Sequence, residues 1–139
     1  MSAIARLIEQ HRGCDDFLVR AEAAVRDGDW TTALAAWQPF EADMQRHFAL
    51  EEEHLFPAFE AATGMTMGPT AVMRGEHAEM RELFAELRAA LAAQDSEAFL
   101  GQGETLLILM QQHNMKEENV LYPMCAQHVA EFETLVPQS

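Results

Sequence analysis

His11, His47 and Glu51 recur 66 residues further on as His77, His113 and Glu117. Each set has one internal spacing: a histidine, a second histidine 36 residues later, and a glutamate four residues after that. The surrounding segments repeat as well. HFALEEEHLFP (47–57) matches HNMKEENVLYP (113–123) in its histidine, two glutamates, leucine, aromatic residue and proline. Imidazole together with carboxylate suits iron, manganese or zinc. Residues four apart share one face of a helix, so His47 can converge with Glu51 and His113 with Glu117. The pattern predicts a two-fold metal site. Two bridging glutamates and four histidines would leave coordination positions open to a small molecule such as O2 or NO.

The elements that must hold these residues are helical. Turn signals at Asp27-Gly28-Asp29, Thr63-Gly64 through Gly68-Pro69, and Ala93-Gln94-Asp95-Ser96 divide the chain into helices near 3–26, 30–62, 70–92 and 96–130. Asp29 and Asp95, again 66 apart, have the character of helix N-caps. Such short connections favour antiparallel neighbours, so the expected fold is an all-α, up-down-up-down four-helix bundle with an internal two-fold repeat. It forms one domain over 1–139, with repeat halves of about 1–66 and 67–132.

Apolar residues at alternating steps of three and four mark the core-facing seams. They run Ile4, Leu7, His11, Cys14, Leu18, Ala21 and Val25 in the first helix, and Met73, His77, Met80, Phe84, Leu87 and Leu91 in the third. The second carries Phe40, Met44, His47, Glu51, His54 and Ala58, the fourth Leu106, Met110, His113, Glu117, Val120 and Met124. Pro57 and Pro123, 66 apart, bend or end their helices within the repeated unit, and the unmatched Pro39 marks a break early in the second helix. The segment after His128 is expected to add a last turn against the bundle.

No Lys or Arg sits on these seams to neutralise two buried glutamates. Burying charge without compensation is costly, and metal cations would supply both charge and bonding partners. A single histidine on a seam is more often ordinary core packing. Six matched residues on four seams are harder to explain as a metal-free polar network.

The chain has 139 residues, 49% of them apolar, which is enough for one core. Net charge is -14, with 23 acidic against 9 basic residues, so nucleic acid is a poor partner. No apolar run approaches the ~20 residues of a membrane span. Cys14 and Cys125 form no disulfide framework. A cytoplasmic location is expected.

These residues and phrases resemble the hemerythrin-like (HHE cation-binding) domains, from His11 to about Pro123. The resemblance implies a four-helix bundle around a non-haem di-iron centre, its two iron ions bridged by two carboxylates and an oxo or hydroxo group. His11, His47, Glu51, His77, His113 and Glu117 fall on the family's ligand pattern. Oxygen-carrying hemerythrins have HxxxH in the third helix, where this chain has Met73 before His77. In the fourth they have HxxxxD, where it has Glu118, with Glu117 giving HxxxE instead. The four-histidine, two-glutamate set is more similar to members linked to iron sensing or to repair of damaged iron centres.

The resemblance thus implies a di-iron protein that binds O2, NO or a related species for sensing, storage or iron and redox handling. The alternatives are a di-iron oxidase or peroxidase, an iron-centre repair protein, and a metal-stabilised interaction module. No protein partner is legible.

Around the six residues, Glu52 and Glu118, 66 apart, are candidates to hydrogen-bond the ligand histidines. His54 lies on the seam one turn past Glu51, as a supporting or core residue. Met73 reads as core packing, matched by Leu7. Tyr122 reads as packing because Phe56 matches it, and Cys14 as an apolar filler matched by Met80.

Overall fold

Four long helical rods follow from the caps and turns. Ser2 caps α1 (Ala3–Arg26), its hydroxyl accepting from the Ala5 N–H at 3.1 Å. Asp29 caps α2 (Trp30–Leu50) by accepting from the Thr32 N–H at 3.1 Å. Asp95 does the same for α5 (Ser96–Lys116), accepting from the Ala98 N–H at 3.0 Å. Both expected N-caps are therefore in place. The loop ahead of α4 (Pro69–Ala93) begins at Gly64, whose φ of 73° closes α3 (Phe56–Thr63). In this computed structural model residues 1–138 are described, and among them no strand occurs.

α2 runs on into α3 through a wide π-turn, Glu51–Leu55, and α5 runs on into α6 (Tyr122–His128) through a second, Glu117–Leu121. Each ends two residues before a proline: Phe56 donates its N–H to the Glu51 carbonyl, and Tyr122 to that of Glu117. Pro57 and Pro123 have no N–H, and their rings crowd the carbonyl four residues back. One extra residue in the turn ahead relieves that crowding, so the helix widens instead of stopping. Pro39, expected to mark a break, lies inside an uninterrupted α2. The flanking Trp37 and Phe40 are fully buried and hold the helix against the core.

α1 packs along α2, α4 along α5, α1 against α5 and α2 against α4. The fourth rod ends at His128, two residues short of expectation, and a short α7 (Phe132–Leu135) folds back on α1 and α6. Arg6, buried to 5% exposure, ties this tail down through the carbonyls of Glu133 (2.9 Å) and Val136 (3.1 Å).

The apolar interior falls into two clusters. One surrounds Trp37, Phe40, Phe84 and Phe99; the other gathers Leu7, Leu55, Phe56, Phe59, Met73, Leu121 and Phe132. The histidines and glutamates of the repeat belong to neither and are buried between them. No helix of the described residues is long and apolar enough to cross a membrane.

Candidate metal centre

The six residues expected from the repeat meet inside the bundle, each no more than 6% exposed. His11 comes from α1, His47 from α2, His77 from α4 and His113 from α5; Glu51 and Glu117 open the two π-turns. Single ligand atoms of Glu51, His77, His113 and Glu117 lie within 4.8 Å of one another, as do those of His11, His47 and Glu117. Each glutamate faces both halves of the repeat. Glu51 sets Oε1 3.0 Å from His77 Nε2 and Oε2 3.5 Å from His47 Nε2. Glu117 Oε1 is 3.2 Å from His11 Nε2 and 3.3 Å from His113 Nε2.

The outward nitrogen of every ring is held. His11 Nδ1 meets Glu118 Oε2 at 2.7 Å, and His77 Nδ1 meets Glu52 Oε2 at 2.7 Å. His47 Nδ1 meets Gln10 Oε1 at 2.7 Å, and His113 Nδ1 meets Glu76 Oε1 at 2.8 Å. A carboxylate or amide oxygen only accepts, so each Nδ1–H donates outward, and a ring in its neutral form has its Nε2 lone pair inward. Glu52 and Glu118 thus take the supporting positions the sequence suggested. Gln10 and Glu76 were missed. They too are 66 apart, each one residue before a histidine of the cluster, and that was the available signal.

Two sequence expectations are corrected. His54 is exposed, not on the seam, and so is Val120. The π-turn adds one residue to the helical count, so after Glu51 the core side resumes at Leu55, Phe56 and Phe59. The same shift carries Tyr122 into the site rather than into simple packing. Its hydroxyl donates to Glu51 Oε2 at 2.7 Å or Glu117 Oε1 at 3.0 Å, and lies 3.2 Å from His11 Nε2 and 3.3 Å from His47 Nε2. Met73 is buried in the end cluster with Leu7, as packing.

The halves differ around this shared core. Arg81 clamps Glu52 with two bonds of 2.8 and 2.9 Å, and Lys116 reaches Glu76 at 2.5 Å. The repeat puts Asp15 and Leu50 where Arg81 and Lys116 would be expected. Phe48 stacks on His77 at 3.9 Å, and Phe56 lies beyond it at 5.6 Å.

The electrostatics follow from burial set against close charge. Burial pushes the Glu51 carboxyl up, but His47, Glu117 and His77 outweigh it and leave it well below the usual range. Burial pulls the His113 imidazolium down, yet Glu117, Glu51 and Glu76 together raise it to about 9. The same opposition raises His11, through Glu117, Glu118 and Glu51. Burial and the two glutamates push the Tyr122 phenol far up.

Seven buried side-chain atoms have no hydrogen-bond partner among the described residues. Four of them are Glu51 Oε1, His77 Nε2, His113 Nε2 and Glu117 Oε2. Buried polar atoms are nearly always paired, so this concentration of nitrogen and oxygen donors in one place fits a cation. The family model for the hemerythrin HHE cation binding domain matches residues 2–125. The chain belongs to the hemerythrin HHE family. As an HHE domain it is a cation-binding domain, and its buried His/Glu cluster is the group of residues that could hold the metal. No curated protein and no solved structure matches the chain. A groove of about 770 Å³ beside Trp30, Trp37 and Arg88 on this HHE domain is lined by none of the six residues.

Proposed function

We propose that this HHE domain holds two iron ions and binds O2, NO or a related small molecule for sensing, storage or redox handling. The observation that carries the reading is the position of the two glutamates. Glu51 stands between His47 and His77, and Glu117 between His11 and His113. A carboxylate so placed can serve two ions at once, one beside His11 and His47, the other beside His77 and His113. Bound iron would supply redox chemistry and open coordination positions. The protein's own residues orient the four rings through Nδ1, exclude water with two apolar clusters, and offer one hydroxyl at Tyr122. We take the ring of rods as an antiparallel up-down-up-down bundle, one domain with two repeat halves. Manganese or zinc would satisfy the same donors.

A second reading is an oxidase or peroxidase. Tyr122 favours it, because a phenol against both glutamates is a hydrogen and electron donor placed where a reactive ligand would form.

Anaerobic loading with ferrous iron, metal analysis and exposure to O2 or NO decide between them. Two metals per chain and a reversible absorption change support binding. Irreversible oxidation with turnover supports the oxidase. Uptake of no metal overturns both. Glu51→Ala and Glu117→Ala should each lower metal content, and full occupancy in either shows that the bridging assignment is wrong.

A further inference from the structure

We propose that the groove between α1 and α2 beside His47 is the path by which small uncharged molecules reach the centre, with Gly13 at its wall. The inference rests on the di-metal reading for what lies at the inner end. A cavity of about 250 Å³ opens there, lined among others by Gln10, Gly13, Cys14, His47, Leu50 and Pro137. A water molecule occupies about 30 Å³ in the liquid, so a diatomic molecule has ample room. Its inner end is the His47 ring and the Gln10 amide that bonds it.

Exposure points the same way. His11 and His47 each retain 6%, whereas His77, Glu51 and Glu117 are at 0% and His113 at 2%. The histidines of α1 and α2 thus keep the most exposure of the six, and His47 is the one in the cavity wall.

The repeat loses its symmetry along this path. Glu79 stands where the first half has Gly13, and Met80 where it has Cys14. Lys116 takes the place of Leu50, and Glu76, to which it is bonded, takes that of Gln10. A cavity on the α4/α5 side, lined by Glu79, Leu83, Leu109 and Gln112 among others, has none of the four histidines in its wall.

The lining suits an uncharged molecule. Gly13, Cys14 and Leu50 are neutral, and burial and nearby acids push the Cys14 thiol up to about 12, so it stays protonated. The charged groups of the wall, Asp43 and Arg46, neutralise each other at 2.6 Å.

Gly13→Leu tests the path without disturbing the fold. A Cβ built at Gly13 meets nothing within 4 Å, and leucine is the better helix former. In the metal-free protein, methyl methanethiosulfonate should modify Cys14 faster than Cys125, which is at 0% exposure in the end cluster. Gly13→Leu should slow the Cys14 reaction by about ten-fold or more and leave Cys125 unchanged. In the iron-loaded protein it should slow NO association by a similar factor with equal affinity at equilibrium. Unchanged rates in either measurement overturn the path. If the parent takes up no metal, the proposed function fails, and the thiol measurement still decides the path.

Discussion

Tyr122 and Phe56 occupy the same place in the two halves, each directly after a π-turn and directly before a proline, and only Tyr122 carries a hydroxyl. That hydroxyl lies 2.7 Å from Glu51 and 3.0 Å from Glu117, so the two-fold site has one distinct side. Tyr122→Phe makes the halves alike and removes a donor from two buried carboxylates. The metal-free variant should be less stable by ~1–3 kcal/mol. Thermal melting without metal checks this; an unchanged midpoint would show that the phenol is not bonded to them.

Glu52 holds His77 Nδ1 at 2.7 Å while Arg81 holds Glu52. Glu52→Ala leaves every proposed ligand in place but frees the His77 ring. Metal affinity should fall by about 10- to 100-fold, as is common when the partner of a ligand histidine is removed. Competition against a chelator of known affinity measures it. Affinity equal to the parent's would place Glu52 outside the site's support.

Glu22 is 8% exposed, its Oε1 has no hydrogen-bond partner among the described residues, and burial raises its pKa despite Arg26 at 3.6 Å. A carboxyl raised in the folded state favours folding below its unfolded value of about 4.5, and that benefit is lost as pH rises through the folded value. The ion pair with Arg26, itself 62% exposed, offsets little of this. Glu22→Gln should therefore melt higher than the parent at neutral pH, with the gap closing in acid. A lower melting point at pH 7 would mean the ion pair outweighs burial.

Gln94 ends α4 at φ 52°, in the left-handed region, where its counterpart 66 residues earlier is Gly28 at φ 72°. Glycine takes this conformation without the Cβ clash. Gln94→Gly should stabilise the protein by ~0.5–1 kcal/mol, a gain reduced by glycine's greater freedom when unfolded. Denaturant unfolding resolves a change of that size, and a loss of stability would show that the Gln94 side chain is needed.

The sequence by itself determined the helices, the caps at Asp29 and Asp95, and the six residues that converge. Each of these rests on local spacing. Four residues bring His47 and Glu51 to one face, and a 66-residue echo repeats the arrangement. His54 reads as a seam residue and Tyr122 as mere packing because the regular count of 3.6 residues per turn fails at the two π-turns. One extra residue there turns His54 to solvent and Tyr122 inward. Gln10 and Glu76 likewise acquire their roles only when α1 lies beside α2 and α4 beside α5. A hydrogen bond between helices depends on how two rods are set against each other, and spacing along one rod cannot report that. Tertiary structure decided the support of each histidine and the difference between the halves, because both depend on contacts across helices.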